Sequence, residues 1–218
     1  MSSRDNILGR IRKALGREGT EPSAAETAEI RAAIARRTVG PQPAIAHPAQ
    51  PLAHFRAECD RLGTTHAEAP SRAHVPAEVR RYLDANALEP RVLIWHEFAD
   101  LDWAAAGIAV DDRVAHGGDR TALTGCFCAI AETGTLLLLS SPATPKATAL
   151  VPETHICVVS RARMVLNMEE AFALMRGEVG EPPRATWFIS GPSRTADIEQ
   201  TLVIGAHGPY RVHVIVVP

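Results

Sequence analysis

Three polar islands interrupt apolar runs in the second half of the chain. Glu132-Thr133-Gly134-Thr135 separates the runs 126–131 and 136–139, Gly191 to Glu199 follows the run 185–190, and Gly205 to Pro209 precedes the run 212–217. A carboxylate wedged between apolar runs is costly to bury without a partner. If Glu132 is buried its pKa rises, which suits a general acid, a base or a nucleophile. If it sits at the tip of a hairpin it is an ordinary solvated acid. His207, in Ala206-His207-Gly208, has the residue type for a base or ligand, and equally for a loop histidine bonded to backbone. Ser193 has no base in a nucleophile-elbow pattern, so hydrolase chemistry is unsupported.

The stretch Gly191-Pro192-Ser193-Arg194-Thr195-Ala196-Asp197-Ile198-Glu199 carries the densest signal. Gly191-Pro192 ends a strand. Ser193 or Thr195 can cap a following helix in which Ile198 and Leu202 share a face at i, i+4. Free N–H groups at such a start can hold an anion, and Asp197 in the first turn complements the dipole. Asp197 and Glu199 are two apart and cannot form a dyad on a helix. The candidate catalytic residues are therefore Glu132 and His207. Thr133, Gly134, Thr135, Gly191, Pro192, Ser193, Arg194, Thr195, Asp197 and Gly208 are the candidate ligand-binding residues. Loops leaving strand ends can converge, so one crevice lined by all three islands is expected.

The elements that must position these residues read as α/β. Leu52, Phe55, Cys59 and Leu62 mark a helix stopped by Gly63, and Val75, Val79 and Leu83 mark another. Residues 64–67, 91–95 and 108–110 read as strands, the second a continuous apolar run of the kind buried on both faces. Residues 126–139 read as a hairpin, an antiparallel insertion in the sheet. Residues 155–160 form another strand, and Asn167 caps a helix running to Arg176 and stopped by Gly177. Helices alternating with buried strands give a layered α/β fold with a largely parallel sheet. The compact domain spans 52–218.

Residues 1–51 read as a helical arm. Ile7, Leu8, Ile11, Ala14 and Leu15 recur at helical spacing opposite a basic face, and Ser3 can cap the start. A second helix fits Ala24 to Arg37, and Pro41, Pro43 and Pro48 then prevent regular structure.

Acids (25) and bases (23) nearly balance, so nothing at chain level argues for nucleic acid. No apolar run reaches the roughly 20 residues that span a bilayer, and no secretory h-region opens the chain, which predicts a cytoplasmic protein. Cys59, Cys126, Cys128 and Cys157 lack cluster or C-x-x-C spacing and read as buried thiols, with Cys126 and Cys128 on one face of a strand.

Ala131 to Thr135, Pro152 with His155-Ile156, Gly191 to Glu199 and Gly205 to Pro209, in that order, resemble the LUD-domain family, more closely its lactate-utilisation branch. The opening Ile7 to Leu15 resembles the N-terminal helix of those proteins. The resemblance implies a layered α/β/α mixed sheet like the NagB/RpiA/CoA-transferase superfamily. It implies a part in oxidising L-lactate to pyruvate, with iron–sulfur clusters in partner proteins and no cofactor in this chain. The Glu132-x-Gly step is also similar to the Glu-x-Gly of CoA transferases. That similarity implies an alternative, a free-standing enzyme using Glu132 for acyl or proton transfer on a small anionic substrate.

Overall fold

A computed structural model describes residues 2–36, 38, 40–41, 50–197 and 199–218. The chain divides into two units, Met1–Ala46 and His47–Pro218.

The first unit holds α1 (Ser3–Ala14) and α2 (Ala24–Arg36), neither with a buried residue. Ser2, rather than the expected Ser3, caps α1, accepting from the Asp5 N–H while Asp5 accepts from the Ser2 N–H. Ser23 and Glu26 make the same reciprocal pair before α2. Both carboxyls are held below their usual range by these bonds. The expected irregular stretch between Pro41 and Pro48 lies largely outside the described residues.

The second unit opens with α3 (Pro51–Leu62), which has Pro at its first position and ends on Gly63 at φ 80°. β1 (Thr65–Glu68) follows, then α4 (Val75–Ala85), β2 (Arg91–Ile94), β3 (Ala109–Asp111) and β4 (Thr121–Gly125). Next come β5 (Cys128–Ile130), β6 (Thr135–Leu139), α5 (Ala147–Leu150), β7 (Thr154–Ser160), β8 (Met164–Val165) and α6 (Met168–Val179). β9 (Thr186–Ile189), β10 (Arg194–Thr195), β11 (Val203–Ile204) and β12 (Arg211–Val217) complete it. Asn167 caps α6 as expected, but the helix runs through Gly177 and ends at Gly180. In the added turn Glu178 pairs with Arg163 at 2.6 Å, and the helix penalty of a glycine is modest.

Six strands form a parallel sheet in the order β1-β12-β7-β4-β2-β3. Its central strands are Val- and Ile-rich and closed to solvent on both faces, as parallel strands covered by helices must be. The hairpin 128–139 does not join that sheet. β5 and β6 pair antiparallel and recruit β8 and β9 into a second sheet, order β8-β5-β6-β9. Cys128, Ile130, Leu137 and Ala171 of α6 make its own small core. Cys126 lies before β5 and packs against the main core instead, so the two cysteines do not share a strand face.

Two histidines are buried within the main sheet, His155 on β7 and His213 on β12. His155 Nε2 meets Thr124 Oγ1 at 2.7 Å, and its Nδ1 has no partner among the described residues. His213 Nδ1 meets Thr65 Oγ1 at 2.8 Å, and its ring stacks on Tyr82 with centroids 4.1 Å apart. Burial lowers both pKa values from 6.5 to about 4, with Arg81 and His66 adding to the effect at His213.

The unfolded chain therefore takes up protons on both imidazoles as pH falls through 6.5, whereas the folded chain does so only near pH 4. Their stabilising contribution is complete above pH 6.5, is lost as pH falls from 6.5 to 4, and is level below that. The shift corresponds to roughly 3 kcal/mol per histidine as an upper bound. Urea unfolding followed across this window should show the midpoint dropping most steeply between pH 6.5 and 4. A midpoint that stays constant there would show that the imidazoles charge in the folded state.

Candidate functional site

The Glu132 turn is a single 3-10 turn, Ala131–Thr133, closed by Gly134 at φ 60°. The Glu132 N–H donates to Leu166 O at 2.9 Å, and the residue is half-exposed. A Cβ at Gly134 would lie 2.9 Å from Glu58 Cβ and 3.1 Å from Cys59 N. The turn is thus pressed against the backbone of α3, and only glycine fits by both conformation and space. Thr133 Oγ1 meets Thr135 Oγ1 at 2.7 Å, and Thr135 Oγ1 meets Ser190 Oγ at 2.6 Å. This run of hydroxyls links the first polar island to the residue just ahead of the second.

Gly191, at φ 87°, repeats the close approach one turn further along the same helix. Its added Cβ would meet Leu62 Cβ at 3.0 Å and Leu62 O at 3.1 Å. After Pro192 the expected helix is absent among the described residues. Arg194–Thr195 is instead β10, paired antiparallel with β11 at Arg194↔Ile204 and Thr195↔Val203. Glu199 and Gln200 take positive φ (50° and 57°) in the connecting loop, and Ile198 lies outside the described residues. Thr195 is consequently no cap, since its Oγ1 donates to Asp197 Oδ2, and the dipole role of Asp197 falls with the helix. The capping residues and i, i+4 spacing were real, but cross-strand pairing with Val203–Ile204 claimed the backbone. A four-residue spacing of two apolar residues is too short to specify a helix against such a partner.

Ser193 joins the second island to the third. Its N–H donates to Pro209 O at 2.9 Å, its carbonyl accepts from the Gly205 N–H at 2.9 Å, and its Oγ accepts from the His207 N–H at 3.3 Å. A Cβ at Gly208 would touch Ser193 Cβ at 3.3 Å. The His207 ring is exposed, with Nε2 3.7 Å from Asp197 Oδ2. Arg194 reaches back to donate to Leu62 O.

The islands are therefore contiguous through Thr135–Ser190 and through Ser193, with Gly134 and Gly191 seated on α3. What the sequence reading missed is this platform, residues 58–64. Its only advance signal was the Leu62-Gly63 helix stop. The platform also fixes the end of the sheet at which the islands lie. Thr64 and Thr65 enter β1, residues 205–210 enter β12, and Thr65 is level with His213. The Ser193 and His207 loops are at the amino ends of the parallel strands, whereas ligands in open α/β sheets bind outside the carboxyl ends. The arrangement is a braced, partly exposed surface. Leu202, Val203, Ile204 and Tyr210 on it are exposed apolar residues.

Gly134→Ala should destabilise the protein by roughly 2 kcal/mol or more, from left-handed strain plus the clash with helix backbone. Glu132→Gln, at a half-exposed position, should stay within about 0.5 kcal/mol of wild type. Denaturant titration of the two variants checks this. A tolerated Gly134→Ala would mean the turn is not held against α3.

The comparisons with known proteins agree with this architecture. The LUD domain matches residues 98–217. A lactate utilization protein C of Deinococcus radiodurans is 44% identical over 96 residues, covering 44% of this chain and 45% of that protein. The protein of the same name from Bacillus subtilis is 31% identical over 128 residues, covering 53% of each. An uncharacterised Neisseria meningitidis protein is 43% identical over 86 residues, 39% of this chain and 37% of its own. The chain thus spans about half or less of the length of these curated relatives. The crystal structure of a DUF162 family protein from Deinococcus radiodurans superposes with a TM-score of 0.56 at 27% identity, covering 78% of this chain and 100% of that one. With its parallel sheet, its second sheet and more than half its length inside the domain match, this chain belongs to the LUD domain family.

Proposed function

We propose that this protein is a component of an L-lactate utilization system that oxidises lactate to pyruvate together with iron–sulfur partner proteins, carrying no cluster itself. The observation behind the reading is the similarity, at 31% and 44% identity, to proteins called lactate utilization protein C. The cysteines suit a cluster-free role, since Cys59, Cys128 and Cys157 are buried and burial raises the Cys59 and Cys128 thiols to about 12. A thiolate ligand needs the opposite environment. Among the described residues no helix is long and apolar enough to cross a membrane.

The braced surface around β10 and β11 is the part we assign to docking. It presents Leu202 (62% exposed), Val203 and Ile204 beside the charged Arg194 and Asp197 and the polar ring of His207. An apolar centre with a charged rim is the make-up of a protein interface. A free-standing enzyme acting through Glu132 has less support, because α3 closes the Gly134 side of that turn.

Purification of the tagged chain from its native host should bring along iron-containing partners, and deletion of its gene should abolish growth on L-lactate. The double variant Leu202→Asp, Val203→Asp should keep the wild-type melting temperature and lose the partners. Unimpaired growth of the deletion strain, or lactate turnover by the isolated chain, would overturn the reading.

A further inference from the structure

The amino-end surface leaves the other end of the parallel sheet without a role. There the chain leaves β2 toward β3 at one edge, returns across β2 to β4, and from β4 proceeds to β7 on the far side. The exits of adjacent strands β2 and β4 therefore diverge. Such a switch point opens a crevice outside the carboxyl ends, where α/β sheets hold small ligands. A cavity of about 220 Å³ lies there, lined by Trp95, Glu97, Cys126, Phe127, Leu139, Ser141 and Thr144.

Several features mark it as a built site. A Cβ on Gly125 would fall 2.6 Å from Glu97 Oε1, so only glycine at the end of β4 lets the Glu97 carboxyl lie across the strand terminus. Trp95 forms a closed apolar wall, fixed by its Nε1–H donating to Pro145 O at 3.3 Å. The Thr144 hydroxyl donates to Leu139 O at 2.7 Å and meets Ser141 Oγ at 2.8 Å, which sets the opposite rim. Behind the cavity, Thr124 and Cys157 lie level with each other on one face of β4 and β7, and His155 lies two residues further back on that face. The Cys126 and Cys157 thiols both point at Val158 O, at 4.0 and 3.8 Å. Buried polar groups concentrated behind a cavity at a switch point are what an apolar core avoids without a functional reason.

The lining chooses the ligand. Among the described residues, Glu97 is the one charged group lining the cavity, with Arg72 beside it and Arg163 stacked over the Phe127 ring at 4.6 Å outside the lining. Trp95, Phe127 and Leu139 offer apolar contact, and Cys126, Ser141 and Thr144 offer short polar ones. The volume is that of roughly seven water molecules. We propose that the crevice between the carboxyl ends of β2 and β4 binds a small neutral or cationic alcohol or amine, which donates to Glu97 and lays its carbon skeleton on Trp95, and that it discriminates against anions of equal size. Glu97 is exposed as a residue, while its carboxyl lies against the end of β4 at Gly125. Desolvation raises its pKa, opposed by Arg72 and the Gly125 N–H.

This site is independent of the docking role, and its test needs only the isolated chain. Propane-1,2-diol, 1-aminopropan-2-ol and L-lactate share one carbon skeleton and carry a hydroxymethyl, an aminomethyl and a carboxylate group. Each would be titrated into labelled protein while the amide resonances of Gly125, Cys126 and Phe127 and the indole resonance of Trp95 are followed. The amine and the diol should shift these resonances at lower concentration than lactate, the amine most strongly. Glu97→Gln, with folding checked by the unchanged remainder of the spectrum, should weaken the amine by about two- to fivefold and narrow its advantage over lactate. Lactate binding as well as the diol, or no shift at these resonances with any of the three, would overturn the assignment. Either result would leave co-purification with iron–sulfur partners unaffected, so the two proposals fail separately.

Discussion

Two glycines let backbone meet backbone at the carboxyl end of α3, and the arrangement of the second unit follows from that approach. Gly134 rests on Glu58 and Cys59, and Gly191 on Leu62 and Thr64. α3 is tied by Gly63 directly to β1, and β1 lies level with β12, so the helix end is fixed relative to the parallel sheet. The turn between β5 and β6 and the exit of β9 are then held against a rigid platform. The second sheet is thereby docked on main-chain atoms, whose positions vary far less than those of side chains. Hydroxyl contacts through Thr135 and Ser190 and the three bonds of Ser193 carry the same order outward to the His207 loop.

The main sheet imposes the opposite chemistry. Its central strands are covered on both faces, so a polar side chain there has to find a partner inside the protein. Thr124 with His155, and Thr65 with His213, are such pairs, and each leaves one ring nitrogen unmatched. Imidazoles kept neutral in this way link stability to pH without any contact to solvent. They are also a specific exception in strands that otherwise read as Val and Ile.

The two ends of this sheet are built differently. At the amino ends, the glycine-rich islands form a consolidated surface with an exposed hairpin. At the carboxyl ends, diverging connections open a crevice with a carboxylate at its rim. The order β1-β12-β7-β4-β2-β3 places the switch between β2 and β4, at strand ends that none of the three polar islands contains.

The sequence alone determined the elements governed by strong local periodicity and caps. α3 and α4 follow from apolar residues at helical spacing with Gly63 as a stop, and the parallel character of the sheet follows from continuous apolar runs such as 91–95. The family was also legible, because the polar islands occur in a recognisable order. Tertiary structure alone decided the rest. Residues 193–204 carried plausible helix signals, yet formed a hairpin once β10 found β11, because pairing energy between segments is invisible to a local pattern. The hairpin 128–139 built a second sheet because β8 and β9 were available as its neighbours. Glu97 drew no notice in the sequence, since a lone acid after a strand is ordinary. Only the packing of that strand beside β4, with Gly125 bare at its end, placed the carboxylate over a cavity.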